Sequence, residues 1–237
     1  MVAAPPSALL SDVPVPDASK LVTEDDTPLD NLYSEKQQRL LTESLYASWP
    51  GPPADEGGYR PWVAMANVGL FVTAKAPPLV PDTLVSVDVT LPDEVWSKEH
   101  RSYFVWEYGK VPDVVIEVVS NREGGELDTR RRRYALMRVP FYVVWDPEGL
   151  LGGAPLHAFK LVGNVYAPEE RAWVPALSLE LLPWEGSYEG LSERWLRWRT
   201  ADGVVIPTGA ERAEVERERA ERLAARLRAL GVDPDAV

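Results

Sequence analysis

Past residue 30 the chain alternates between two hydrophobic periods. In NLYSEKQQRLLTESLYASW (residues 31–49) Leu40, Leu41, Leu45 and Tyr46 share one helical face, Ser34 is placed to cap the start, and Pro50-Gly51-Pro52-Pro53 stops the pattern. This predicts an amphipathic helix. PWVAMANVGLFV (residues 61–72) is apolar and β-branched, and reads as a strand ending before Pro77-Pro78. LVPDTLVSVDVTL (residues 79–91) then alternates after its proline, with Leu84, Ser86 and Asp88 on one side and Thr83, Val85, Val87 and Val89 on the other. The run Val114–Val119 is too uniformly apolar for a sheet edge and predicts a central strand covered on both faces. After a turn at Asn121–Gly125, ELDTRRRRYALMRV (residues 126–139) reads as a helix with Arg130 and Tyr134 one turn apart, and PFYVVWDP (residues 140–147) as a fourth strand. Helix, three strands, helix, strand is the order of a single α/β layer core.

Beyond it, LHAFKLVGNVYAPEERAWVPALSLELLPWEG (residues 156–186) predicts short strands with a hairpin turn at Gly163-Asn164, and WLRWRTADGVVIP (residues 195–207) a further hairpin at Ala201-Asp202-Gly203. Gly209–Leu230 reads as a charged helix with a thin seam of Val215, Leu223, Leu227 and Leu230, fit for a projecting helix or a weak coiled coil. Residues 1–30, rich in Pro, Asp, Ser and Ala without a period, read as an extended or disordered arm. The expected organisation is therefore an arm (1–30), an α/β domain (31–200), and a hairpin end with the charged helix (201–237).

Composition narrows the chemistry. Of 237 residues 45% are hydrophobic, enough for a sizeable core, and there is no cysteine, which excludes disulfides, thiolate metal sites and cysteine nucleophiles. Only two histidines occur, His100 and His157, in unlike surroundings, so a histidine metal site or a Ser-His-Asp relay is poorly supported and chemistry falls to carboxylates. The net charge of -12 opposes unselective coating of nucleic acid, so any phosphate contact must be local. No run approaches the ~20 apolar residues that cross a bilayer, and the start of the chain lacks a leader pattern. A cytoplasmic protein with no membrane partner is expected.

Against that background Glu117 stands out, a carboxylate inside the apolar run of residues 114–119, followed by four arginines, Arg130–Arg133. Burying an ionised carboxylate costs several kcal/mol unless it is paired or bound to a cation. Two readings follow. One is an ion pair with an arginine of the next helix. The other needs a second carboxylate, and Asp82, after Pro81 at the head of the preceding strand, would lie beside Glu117 if those strands pair antiparallel; two close carboxylates suit a hard divalent cation such as Mg²⁺. Asp113 reads as a strand-start residue, Asp88 as solvent-facing, His100 as a loop residue, and Tyr134 as helix packing whose hydroxyl can reach the site. Trp62, Trp106, Trp145 and Trp184 read as core or rim packing, since no basic groove surrounds them.

VPDTLVSVDV, PDVVIEVVSN and GGELDTRRRRYALMRVPFYVVWDPEG, taken together over roughly residues 33–149, resemble the Uma-two family of restriction-endonuclease-like proteins within the PD-(D/E)XK nuclease superfamily. The resemblance implies a PD-(D/E)XK core, a mixed central sheet flanked by helices, with a projecting C-terminal helix. It implies a metal-dependent endonuclease that hydrolyses phosphodiester bonds of nucleic acid, DNA in the first instance, with Mg²⁺ or Mn²⁺ on Asp82 and Glu117. The superfamily's lysine would fall at Val119; the basic position instead moves to the next helix, at Arg130. Glu35 or Glu43 on the first helix would add a further carboxylate, with Glu35 preferred because it lies nearer the helix N-terminus. Arginine stays protonated where lysine can lose its proton, so Arg130 can stabilise negative charge but not activate water, which marks either a phosphate clamp or a weakened enzyme. The competing class is a non-catalytic binding or assembly protein that keeps the fold and acts through its C-terminal helix. A homodimer is left open.

Overall fold

The computed structural model describes residues 31–120, 126–231 and 233. In chain order they form α1 (Leu32–Ser48), β1 (Trp62–Ala66), β2 (Leu70–Phe71), β3 (Thr83–Val87), β4 (Tyr103–Phe104), the short α2 (Val105–Tyr108), β5 (Val114–Val118), α3 (Arg131–Leu136), β6 (Phe141–Trp145), β7 (Leu156–Val162), β8 (Val165–Glu169), β9 (Ala172–Val174), β10 (Leu179–Tyr188), β11 (Leu191–Thr200) and α4 (Gly209–Ala229). The expected arm at residues 1–30 and the turn at residues 121–125 lie outside the described residues.

The central sheet has six strands in the order β1-β3-β5-β6-β7-β8. It is mixed: β3 runs antiparallel to both β1 and β5, β5 and β6 are parallel across α3, and β7 and β8 each run antiparallel to the strand before. A parallel pair needs a crossover, and α3 supplies it. β5 is buried along its whole length. On one face Val114, Ile116 and Val118 meet Leu41 and Leu45 of α1 and Leu179, Leu196 and Trp198 of the three-stranded sheet β11-β10-β9. On the other, Val115 and Val119 meet Tyr134, Tyr142 and Val144. Each such side chain contributes about 1.5–3 kcal/mol by leaving water, so the strand that carries Glu117 is held in place by its apolar neighbours.

Three local expectations change. α1 is capped by Asn31, whose Oδ1 accepts from Ser34 N at 2.9 Å, so Ser34 is already inside the helix. The run expected as one first strand breaks into β1 and β2 because Asn67 adopts φ 56°, left-handed backbone that no strand continues through. The helix expected from residue 126 opens with a wide π turn over Glu126–Arg130 before α3 proper. The hairpin at Gly163-Asn164 joins β7 to β8, with Val162 facing Val165. The turn at Ala201-Asp202-Gly203 follows β11, and Val205 bridges back to Arg199. α4 has no buried residue and starts from a capping box between Thr208 and Glu211, while Gly209 N and Arg212 tie its first turn to Glu43 and Ala47 of α1.

Candidate active site

Pro81 has no N–H to donate, and β3 begins only after it. Thr83 faces Ile116 in the antiparallel β3–β5 register, so Asp82 falls opposite Glu117 just past the last ladder pair. There the β5 backbone extends beyond its neighbour, and the Asp82 side chain takes over the missing strand: Oδ2 accepts from Val118 N at 2.6 Å. Its other oxygen, Oδ1, accepts from Gln38 Nε2 of α1 at 2.7 Å. Asp82 is buried, held from two sides by neutral donors.

Glu117 projects from the centre of β5 and is 1% exposed. Tyr134 donates its hydroxyl to Oε1 at 2.6 Å, and Arg130 Nη1 donates to Oε2 at 2.7 Å. Arg130 and Tyr134 are one turn apart and lie on the same side of the crossover, which is why both reach one carboxylate. Burial, and after it the charge of Asp82, push Glu117 up to about 8 from 4.5, against the opposing pull of Arg130 and Tyr134. Burial alone would weaken the Arg130 charge, but Glu117 more than restores it and raises its pKa. Burial, then the Glu117 charge, raises the Tyr134 phenol well above its usual value, so Tyr134 stays a donor.

The structure thus brings Asp82, Glu117 and Arg130 into one cluster. Glu35 is engaged elsewhere: it pairs with Arg39, which also bonds Glu189. The α1 residue that does enter the cluster is Gln38. Its signal was a polar side chain in line with Leu41 and Leu45, at i, i+3 and i+7, on a stripe otherwise given to the core. Among the described residues no group of three or more His, Asp or Glu side chains is arranged to hold a metal, and the cluster contains two carboxylates, Asp82 and Glu117.

The other arginines are only in part a solvated face. Arg130 Nη1 also reaches Val80 O at 3.2 Å, and Arg133 Nη2 reaches the carbonyls of Pro77 and Pro78 at 3.3 and 3.2 Å, so both pin the proline-rich segment leading into Asp82. Arg131 lies over the Phe159 ring at 5.1 Å, and Arg132 is exposed. Asp113 accepts from Val87 N and Lys110, a structural role, and exposed Asp88 pairs with Arg60.

The model of the family described as "Uma2: Putative restriction endonuclease" matches residues 27–186, well over half of the chain. The chain belongs to the Uma2 family. This Uma2 match spans α1 through most of β10 and leaves α4 outside it, so the whole cluster lies within the family region. No curated protein and no solved structure matches the chain significantly. No helix among the described residues is long and apolar enough to cross a membrane.

Proposed function

We propose that this Uma2 chain is a metal-dependent endonuclease of the PD-(D/E)XK superfamily, acting on DNA phosphodiester bonds at the Asp82–Glu117–Arg130 cluster. The observation that carries the reading is the pairing of two buried carboxylates, Asp82 opposite Glu117, in which burial and the charge of Asp82 outweigh Arg130 at Glu117: with Arg130 in contact, Glu117 still holds its proton to about 8. A hard divalent cation supplies that charge. The donor set fits Mg²⁺ or Mn²⁺, which take one or two carboxylates and otherwise water or phosphate oxygens. Glu117 accepts one hydrogen bond on each oxygen, from Tyr134 and Arg130, and a carboxylate oxygen has a second lone-pair direction.

Asp82 and Glu117 would hold the cation, whose chemistry is to polarise a phosphoryl oxygen and make bound water acidic enough to attack. The chain's own residues do the rest. Val118 N and Gln38 fix Asp82, and Tyr134 fixes Glu117. Arg130, protonated throughout and on the rim of the cluster, supplies positive charge to the phosphate as it gains negative charge. It cannot remove a proton from water. With a net charge of -12 the phosphate contact must be local, and the arginines at residues 130–133 are where the chain concentrates positive charge.

The Arg130–Glu117 contact also favours a second reading, a structural ion pair in a protein that binds without cleaving. Nicking of supercoiled plasmid separates them. The nuclease reading expects Mn²⁺-dependent nicking that a chelator stops and Asp82→Ala lowers at least about 100-fold, the scale of losing a group that stabilises transition-state charge. A parent protein that never nicks, or an Asp82→Ala variant that nicks equally, overturns it.

A further inference from the structure

α4 is held at its base. Arg197, buried on β11, donates to both carboxylate oxygens of Glu211 at 2.7 and 2.6 Å, Gly209 N donates to Glu43 Oε1 at 2.7 Å, and Arg212 reaches Ala47 O. From Ala213 onward no α4 side chain hydrogen-bonds outside the helix among the described residues, and none is buried. The two halves of that free length differ. Residues 214–222 carry the helix's own ion pairs, Arg217 with Glu214 and Glu221, Arg219 with Glu216, and Arg222 with Glu218. In residues 223–230 Arg226 and Arg228 have no acidic partner among the described residues, and leucine is exposed instead, Leu223 at 55% and Leu230 at 73%. At 3.6 residues per turn, Ala220, Leu223, Leu227 and Leu230 fall on one stripe, with Val215 well to the side of it. Arg219 and Arg226 run along one flank of the stripe and Arg217 and Arg228 along the other, while Glu214, Glu218 and Glu221 sit toward the back. A helix C-terminus favours basic residues whatever their use, but that does not account for leucines exposed in line between them.

We propose that the C-terminal half of α4 is a docking surface for an acidic amphipathic helix of another protein, whose apolar seam packs on Leu223, Leu227 and Leu230 and whose flanking Asp or Glu side chains pair with Arg219, Arg226 and Arg228. An apolar seam with charges along its flanks is the arrangement by which paired helices choose a partner. Charge decides against a second copy of this chain. In antiparallel self-pairing each flank meets the same flank of the other copy, so Arg219 and Arg226 would face arginine; in parallel pairing opposite flanks meet, and both carry arginine. The surface also suits a protein better than a phosphate-rich surface, because α4 as a whole sets six arginines against five glutamates and is nearly neutral. The base of α4 fixes its direction, so the partner meets a helix that is already presented. This surface lies outside the matched family region and stands independently of the Asp82–Glu117 cluster.

Fluorescence anisotropy of the full-length protein with two labelled synthetic helical peptides tests the assignment. Both peptides have one leucine seam, flanked by Glu in one and by Lys in the other. The parent is expected to bind the Glu-flanked peptide at least about tenfold more tightly than the Lys-flanked one, since like charges set face to face are strongly disfavoured. The double variant Arg219→Glu, Arg226→Glu is expected to reverse that order. Leu223→Ser with Leu227→Ser, both at exposed or half-buried positions, is expected to weaken the Glu-flanked peptide at least about tenfold. Equal binding of the two peptides, binding of neither, or an order that the charge-reversed variant keeps would overturn the proposal. Sedimentation equilibrium adds a second check: a parent dimer that the leucine double variant disperses would assign the seam to a second copy and overturn it as well.

Discussion

Replacing Glu117 by glutamine removes one titrating group from the centre of β5 while keeping its shape and its acceptor for Tyr134. In the metal-free protein Glu117 binds its proton up to about 8, against 4.5 in the unfolded chain. Between those values the folded state holds more protons than the unfolded one, so stability falls as pH rises. The contribution is fully present below about 4.5 and lost by about 8, and at ~1.4 kcal/mol per unit the span is on the order of 5 kcal/mol. Glu117→Gln has no such proton to lose. Denaturant unfolding of both proteins in chelator from pH 4 to 9 should therefore show the variant gaining on the parent as pH rises, with the steepest change between 5 and 8. Saturating Mn²⁺ should flatten the parent's curve, since a bound cation replaces the proton. A parent–variant difference that stays constant across this range would refute the argument that burial and Asp82 outweigh Arg130.

Tyr134→Phe deletes a neutral donor to Glu117, so in the metal-free proteins the loss of stability should be larger at pH 9, roughly 1–3 kcal/mol, where the ionised carboxylate misses the bond, than at pH 5, where a protonated carboxyl loses a weaker one; equal differences at both pH values would contradict this. Arg130→Lys should keep Mn²⁺-dependent plasmid nicking and Arg130→Ala should lower it on the order of 10²–10³-fold, whereas equal nicking by all three proteins would remove Arg130 from the chemistry.

The layer order was legible because its periods are strong. β3, β5 and β6 carry β-branched residues bounded by Pro81, Pro140 and Pro147, and α1 repeats leucine at helical spacing. Asp82 and Glu117 were legible because each violates its surroundings, an acid after a strand-opening proline and an acid inside an apolar run. What was hidden depends on partners distant in sequence. Gln38 meets Asp82 across 44 residues, and nothing local separates its amide from that of Gln37, which docks β11 instead. Glu35 looks the better site residue by charge, but Arg39 one turn on claims it. Asn31 and Ser34 are both good caps, and only the backbone of residue 31 decides between them. The contacts of Arg130 and Arg133 with the proline-rich segment were hidden because their acceptors, the carbonyls of Pro77, Pro78 and Val80, carry no side-chain signal.

The central claim is that Asp82 and Glu117 together form a cation site. A crystal structure of the protein soaked in Mn²⁺, with anomalous diffraction to locate the metal, tests it most directly. The account predicts one Mn²⁺ bound by oxygens of Asp82 and Glu117, with the partly exposed Arg130 turned from Glu117 toward solvent. Absence of metal there, with Arg130 still on Glu117, would make the cluster a structural ion pair and contradict the account.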